Sequence, residues 1–280
     1  MVLTILGSGG GEGYPALFCN CEHCNAARKA GGKNIRTLSQ SCVDGELLID
    51  FPADTRMHSI DCDVRLGNIE NLLVTHTHTD HYMPALFELR GGVFAHDLKT
   101  EKMHVFGNED VKRLFDSTFS FIPVNPVVRD SIVFENVQAF VPFSAGKYEV
   151  TPLPANHALE QQAFNYLIDD GKSLLLYLID SGYPEENVIG YLAKNQIKLD
   201  CVAMDANMGV NYPVKYPYHM GFDDNIRLKN HMTRLGIASE KTRFIAMHIS
   251  HNQAGLHCEI EKHFACSGIE VAYDGMRAEF

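Results

Sequence analysis

Four potential metal ligands within six residues, His76, His78, Asp80 and His81, constrain this chain more than any other stretch. They follow an apolar run, residues 72–74, which we expect to be the end of a buried β-strand. Because side chains two residues apart in extended backbone point the same way, His76 and His78 can converge on one ion. As the chain turns into a helix, Asp80 and His81 are directed toward a second point nearby. Imidazole and carboxylate ligands suit zinc, manganese and iron, so the stretch predicts two adjacent metal ions.

Three further apolar runs also lead into residues that can bind a metal. Residues 148–153 precede His157, residues 173–179 precede Asp180, and residues 243–247 precede His248. Each residue alone has an ordinary alternative: a loop histidine, a turn cap and a core histidine, respectively. A polar, histidine-rich loop is likewise the alternative for the first stretch. Because four strand ends share the pattern, we interpret these residues as one ligand set.

The rest of the chain predicts one α/β domain over residues 1–280, in which strands alternate with helices. Helices are expected at residues 26–30, 109–115, 184–193, 223–235 and 253–264, and residues 119–143 are expected to form strands and loops. The glycine-rich turn at residues 7–13 has the spacing of neither a dinucleotide-binding nor a phosphate-binding loop. We expect its glycines to let the backbone pass close to a site or a neighbouring strand.

The order of the ligand residues along the chain resembles the metallo-β-lactamase superfamily of binuclear hydrolases, and the resemblance covers nearly the whole chain. It implies an α/β fold in the form of a four-layer αββα sandwich, with the metals at one edge between the two sheets. Asp180, where other members have cysteine, and Asp80 beside His81 are similar to the phosphodiesterase and nuclease branches rather than the antibiotic-hydrolysing branch.

The resemblance also implies a role for each ligand. The first metal is expected to be held by His76, His78 and His157, and the second by Asp80, His81 and His248. Asp180 and a hydroxide are expected to bridge the two ions. Two divalent ions about 3.5–4 Å apart lower the pKa of bound water and stabilise developing negative charge. Zinc, manganese and iron all accept such ligands, so the sequence leaves the metal open.

A separate group of cysteines has the spacing C-x-C-x-x-C, which brings three thiolates close enough for one zinc ion: Cys19, Cys21 and Cys24. A structural zinc site needs four protein ligands and no open position. His23 and His251 are candidates for the fourth ligand, and closure by His23 is awkward because it lies inside the tight loop. The alternative is three reduced cysteines on the surface.

The stretch from His248 to His251 resembles the H-x-x-H near the C-terminus of phosphoribosyl cyclic phosphodiesterases, enzymes of bacterial phosphonate breakdown. In that family the second histidine completes a structural zinc site with three cysteines, which implies this role for His251. The cysteine cluster and residues 273–276 are also similar to that family. His219 resembles, in position, a histidine of the same family that protonates or orients the leaving group.

Other polar residues are interpreted individually. Asp80 is expected to share proton transfer as well as bind a metal. Asp205 either caps a helix or orients a ligand histidine, and we favour a purely structural role. Asp274 is expected to be a turn residue. The remaining histidines show no partner pattern and are assigned no function: His58, His96, His104, His231, His257 and His263.

Composition narrows the range of partners. With 24 Lys and Arg against 35 Asp and Glu, the net charge of −11 argues against broad binding to a nucleic-acid backbone. The sequence contains no run of 18 apolar residues, so we expect no membrane span. Residues 1–6 lack the basic region of a signal peptide, so we expect a cytoplasmic protein with reduced cysteines. Relatives are often dimers, and a homodimer is therefore also an expectation.

The leading hypothesis is a metal-dependent phosphodiesterase that hydrolyses a small cyclic phosphate ester, similar to phosphoribosyl 1,2-cyclic phosphate, through a metal-bridging hydroxide. One alternative is a nuclease that processes the 3′ end of transfer RNA, although the sequence contains no Gly/Pro-rich basic arm of the kind such enzymes generally carry. Two others are a metal-binding protein of cofactor biosynthesis and a zinc-dependent scaffold. The scaffold would leave the catalytic-type ligands unexplained.

Overall fold

Two β-sheets with helices on their outer faces form the framework of the computed structural model, which describes residues 1–210, 216–252 and 254–280. The strands of the first sheet are β1 (Val2–Gly7), β2 (Gln40–Val43), β3 (Leu47–Ile49), β4 (Asn71–Leu73), β5 (Met103–Gly107), β6 (Ile132–Asn136) and β14 (Met276–Glu279). They are arranged in the order β14-β1-β2-β3-β4-β5-β6. Strands β3 to β6 run parallel to one another, whereas β14, β1, β2 and β3 pair antiparallel.

The second sheet has the same number of strands and a similar division into parallel and antiparallel parts. Its strands are β7 (Phe143–Ala145), β8 (Tyr148–Pro154), β9 (Phe164–Asp169), β10 (Leu174–Leu178), β11 (Cys201–Asp205), β12 (Arg243–Met247) and β13 (Glu270–Val271). Their order is β13-β12-β11-β10-β9-β8-β7. Strands β10 to β13 are parallel, and β7 to β10 are antiparallel.

Helices connect the strands and cover the sheets. The α-helices are α1 (Glu22–Ala30), α2 (Thr55–Asp61), α3 (Glu109–Phe121), α4 (Pro126–Asp130), α5 (Glu186–Lys194), α6 (Phe222–Arg234) and α7 (His257–Phe264). Short 3₁₀-helices span Gly32–Asn34, Leu66–Asn68 and Pro84–Arg90. Within the described ranges, none of the helices has the length and apolar character needed to cross a membrane.

Successive side chains of a strand point to opposite faces of its sheet. Apolar residues therefore fill three cores, one between the two sheets and one between each sheet and its helices. In β10, Leu175 and Tyr177 point into the core between the sheets, whereas Leu176 and Leu178 pack under the helices of the second sheet. In β4, Leu73 belongs to the central core, and its neighbours pack against α3. Helices, two sheets and helices thus form the predicted four-layer αββα sandwich, and this prediction is confirmed.

Some elements differ from the sequence-based expectation. Helix α3 continues to Phe121 instead of ending near residue 115, because Phe115 and Phe119 lie on one helix face and are both buried. Helix α4 lies in a region, residues 119–143, expected to contain strands and loops only, whereas strand β6 in the same region agrees with that expectation. Helix α7 begins at His257 rather than at Gln253, which lies outside the described residues.

Candidate metal centre

The ends of four strands bring the predicted ligands together at one edge of the sandwich. The stretch from His76 to His81 follows β4, His157 follows β8, Asp180 follows β10, and His248 follows β12. Asp180 and His248 have left-handed backbone, with φ angles of 52° and 60°. Such angles strain a non-glycine residue and concentrate at functional sites.

The first cluster contains His76, His78, His157 and Asp180, whose donor atoms all lie within 4.8 Å of one another. Oδ2 of Asp180 is 3.3 Å from Nε2 of His76 and 3.3 Å from Nε2 of His157. Nδ1 of His78 lies 3.2 Å from Nε2 of His157. The first cluster therefore presents three imidazole nitrogens and one carboxylate oxygen to a common point.

The second cluster contains Asp80, His81, His248 and again Asp180, within the same distance limit. Nε2 of His81 lies 3.1 Å from Oδ2 of Asp80 and 3.1 Å from Oδ2 of Asp180. Nε2 of His248 is 3.3 Å from Oδ1 of Asp180. The carboxylate of Asp180 thus contacts both clusters.

The donor set and its burial fit two divalent metal ions. Nε2 of His76, Nε2 of His81 and Oδ1 of Asp180 are buried and make no hydrogen bond. Buried polar atoms without partners are costly, and a metal ion would satisfy all three. Nitrogen and carboxylate donors at this spacing are also those that catalytic zinc, manganese and iron sites use.

The pKa values of the buried histidines are shifted in opposite directions in the two clusters. Burial lowers the pKa of His157 to about 4, against the opposing charge of Asp180, and burial also lowers the pKa of His76. Both rings are therefore neutral at physiological pH, as metal ligation requires. Burial also disfavours a charged His81, but Asp80 and then Asp50 outweigh it and raise the pKa of that ring. The second cluster thus attracts positive charge.

The histidine nitrogens that point away from the clusters are held by the protein. Nδ1 of His81 lies 2.7 Å from Oδ2 of Asp50, and Nδ1 of His157 lies 3.2 Å from the carbonyl of Tyr218. Nδ1 of His76 is 3.0 Å from Oγ1 of Thr75. Such contacts fix the tautomer and orientation of a ligand ring.

Asp50 is a functional candidate that the sequence reasoning missed. It is fully buried, and its carboxylate also accepts hydrogen bonds from the backbone N–H and hydroxyl of Thr75. Asp50 directly follows β3, so it has the same relation to its strand as the predicted ligands have to theirs. That shared position is the signal that could have identified it.

His219 lies beside the second cluster and contacts two carboxylates. Its Nδ1 is 3.1 Å from Oδ1 of Asp180 and 3.1 Å from Oδ2 of Asp205. Burial disfavours the charged ring, but Asp205 and Asp180 outweigh it and raise the pKa of His219 to about 9. Asp205 also accepts hydrogen bonds from backbone N–H groups of Asn207 and Met220. It therefore contacts His219 as well as organising its own loop.

The cysteine cluster forms a third group of potential ligands, Cys19, Cys21, Cys24 and His251. Nδ1 of His251 is 3.5 Å from Sγ of Cys21 and 3.8 Å from Sγ of Cys19. His23 is exposed in α1 and lies outside this group. The backbone N–H of Cys24, against the effect of burial, lowers the pKa of Cys21 to about 6, which favours a thiolate.

The glycine-rich turn connects this group with the second cluster. A Cβ atom at Gly11 would lie 3.1 Å from Oδ2 of Asp80, and one at Gly10 would lie 2.6 Å from the side chain of Asn207. The next residue, Glu12, places Oε1 3.6 Å from Nε2 of His251. The expectation that these glycines allow close backbone approach to a site is confirmed.

Comparisons with known proteins place the fold in a family. The model of the beta-lactamase superfamily domain matches residues 48–249. No curated protein matches the sequence. A solved structure of a new diphosphatase from the PhnP family is 21% identical with a TM-score of 0.75, and the match covers 100% of this chain and 97% of that chain.

Two further solved structures match over at least 99% of their length. Zn²⁺-bound PqqB from Methylobacterium extorquens is 18% identical with a TM-score of 0.68, and the match covers 100% of both chains. The short form of human tRNase Z is 15% identical with a TM-score of 0.67, and the match covers 100% of this chain and 99% of that chain. Because the matched family model spans most of the sequence, the chain belongs to the beta-lactamase superfamily.

Proposed function

We propose that the protein is a binuclear metal-dependent phosphodiesterase that hydrolyses a small cyclic phosphate ester. The observation that carries this proposal is the position of Asp180, whose two carboxylate oxygens contact both ligand clusters. A shared carboxylate holds two ions at the spacing that suits the attacking and leaving oxygens of a phosphoryl group.

The proposed ligands follow from the two clusters. His76, His78 and His157 would hold the first ion, Asp80, His81 and His248 the second, and Asp180 both. When bound, the ions would supply charge stabilisation for the phosphoryl oxygens and a nucleophilic water at neutral pH. Zinc, manganese and iron all remain compatible with this donor set.

His219 is proposed to assist the leaving alkoxide. Its Nδ1 is held between Asp205 and Asp180, so the other ring nitrogen is the one left to face the substrate. In the metal-free protein, against the effect of burial, Asp205 and Asp180 raise the pKa of His219 to about 9, and a protonated ring at this position can donate a proton to the alkoxide. Asp80, 3.1 Å from Nε2 of His81, would share proton transfer while it binds the second ion.

The cysteine group is proposed to hold one structural zinc ion. Three thiols and His251 give the four protein ligands that a closed zinc site requires. Oε1 of Glu12 lies 3.6 Å from Nε2 of His251, and a Cβ atom at Gly11 would lie 3.1 Å from Asp80, so such an ion would also fix the turn beside the second cluster. It would thus support the catalytic ions indirectly.

A small ester is favoured over RNA by the charge of the chain. Its net charge of −11 opposes the backbone of a nucleic acid. Glu160, an exposed carboxylate 2.9 Å from His78, adds negative charge beside the first cluster. The similar structure from the PhnP family is that of a diphosphatase, which agrees with a small phosphate substrate.

The test combines metal analysis with a substrate panel. Purified wild-type protein should contain about three ions per chain and hydrolyse bis-p-nitrophenyl phosphate and at least one cyclic phosphate ester. The variants H81A and D180N should lose this turnover while they retain the fold, as judged by circular dichroism. Full activity of H81A would contradict the mechanism, and cleavage of precursor transfer RNA in preference to every small ester would favour the nuclease.

A further inference from the structure

His78 differs from the other ligand histidines in how it is held. Its side chain is 39% exposed, whereas His76 and His81 are almost completely buried. Packing alone therefore does not fix the ring of His78. A ligand ring that can rotate loses conformational entropy when a metal binds, which weakens the affinity of the site.

A carboxylate on the opposite side of the ring provides the missing contact. Nε2 of His78 lies 2.9 Å from Oε1 of Glu160, while Nδ1 of His78 faces His157 and the first cluster. When Nε2 donates its proton to the carboxylate, Nδ1 is left unprotonated. That is the form in which a neutral imidazole binds a metal ion.

The loop that carries Glu160 is attached to the same strand end. Oε1 of the next residue, Gln161, accepts hydrogen bonds from the backbone N–H of Thr77 at 2.9 Å and from its hydroxyl at 3.0 Å. The side-chain amide of Asn108 donates to Oε1 of Gln161 and to the carbonyl of Gln162. The backbone at Glu160 is therefore positioned by the two residues that follow it, although the Glu160 side chain is itself exposed.

From this geometry we propose that Glu160 is a positioning residue that sets the tautomer and orientation of His78 for the first metal ion. The proposal rests on the assignment of His78 to that ion under the proposed function. One loop thus supplies a ligand, His157, and, three residues later, the group that holds the neighbouring ligand. Contacts of this kind typically change metal affinity by about 10- to 100-fold.

The experiment measures metal retention without substrate, so it is independent of the phosphodiesterase assignment. Purified holoprotein is dialysed against increasing concentrations of a chelator, and the metal content per chain is measured. We expect E160A to lose one ion at a chelator concentration about 10- to 100-fold lower than wild type. E160Q keeps an oxygen that accepts the proton of Nε2, so it should rescue most of the retention.

A matched control removes the same charge elsewhere. Glu149 is exposed on β8, and E149A should release its metals as wild type does. The visible absorption of Co²⁺-loaded protein should change in E160A and remain unchanged in E149A. Equal metal release by E160A and wild type would overturn the proposal. The proposal would also be overturned if E160A loses metal only because its fold is less stable. In that case metal-free E160A would unfold at a lower urea concentration than metal-free E149A.

Discussion

Asp50 lies 2.7 Å from Nδ1 of His81, and both side chains are fully buried. The aspartate also accepts a hydrogen bond from the backbone N–H of Thr75, so its position is set by the segment that links β4 to the ligand stretch. By holding Nδ1, Asp50 fixes the direction in which Nε2 of His81 points into the second cluster.

Replacement of Asp50 should therefore weaken the second site without removing a ligand. We expect D50N to lower the affinity for the second ion, and the rate, by about 10- to 100-fold, because Nδ1 of His81 loses its charged partner. Metal titration of the variant measures the effect. D61N, an exposed substitution on α2, is the control and should bind both ions normally. Unchanged titration of D50N would contradict this role.

Asp180 should be required for both catalytic ions together. Since its carboxylate contacts both clusters, D180N is expected to lose two ions per chain, whereas H157A should lose one. Elemental analysis after gel filtration distinguishes the two results. Loss of a single ion from D180N would show that the carboxylate does not bridge.

His219 should matter most for poor leaving groups. An alkoxide needs a proton as the bond to phosphorus breaks, whereas p-nitrophenolate departs without help, and general acid catalysis typically contributes about 10²- to 10⁴-fold. The rate of hydrolysis by H219A should therefore fall by that factor on an alkyl phosphodiester and by much less on bis-p-nitrophenyl phosphate. Equal losses on the two esters would indicate that His219 does not act on the leaving group.

The cysteine group should stabilise the fold separately from catalysis. C21S is expected to contain one ion fewer than wild type and to unfold at a lower temperature, because a structural zinc ion contributes binding energy to folding. C258S, a substitution of an exposed cysteine outside the group, is the control. A variant C21S with full metal content would contradict the structural zinc site.

A contact between the two sheets should give the protein a pH-dependent stability. Asp44 accepts hydrogen bonds from the N–H of Val2 at 2.7 Å and the hydroxyl of Tyr148 at 2.8 Å. Burial opposes its ionisation, but these bonds and Lys147 outweigh burial and lower the pKa of Asp44. A lowered pKa stabilises the folded state above the ordinary carboxyl pKa, and this contribution is lost as pH falls through the lowered value.

The variant D44N isolates this contribution. Wild type should exceed D44N in free energy of unfolding by roughly 1 kcal/mol at pH 7, and the difference should shrink toward pH 3. Urea unfolding at both pH values measures it. An equal difference at the two pH values would indicate that the charge of Asp44 plays no part.

Much of the candidate site could be predicted because each ligand follows an apolar strand. Burial of the strand makes a polar residue at its end conspicuous, and parallel strands bring their ends to one edge. The same rule would have identified Asp50 after β3. It could not identify Glu160, which lies in an irregular loop 82 residues from its partner His78, because that contact depends on how the two sheets pack.

The fold was predictable at the level of layers but less so at the ends of elements. Helix α2 buries only Thr55 and His58, so it lacks the apolar face by which a helix is recognised in a sequence. The continuation of α3 does have such a face, formed by Val111, Phe115 and Phe119, and the expected end near residue 115 overlooked it. His58, assigned no function from sequence, is buried in α2 and bonded to Thr37 and Gln40. Its partners come from separate loops and strands, so only the folded chain reveals its structural role.

The left-handed backbone at Asp180 and His248 implies that this edge opposes the stability of the domain. Each such residue costs on the order of 1–3 kcal/mol, and glycine would adopt the same angles with less strain. H248G would relieve this strain, but it would also remove a buried imidazole and increase the freedom of the unfolded chain, so we expect a metal-poor protein that is no more resistant to urea than the metal-free wild type. Bound metal ions stabilise the folded state, so a library screened for heat resistance with metal present should keep these two residues despite their strain.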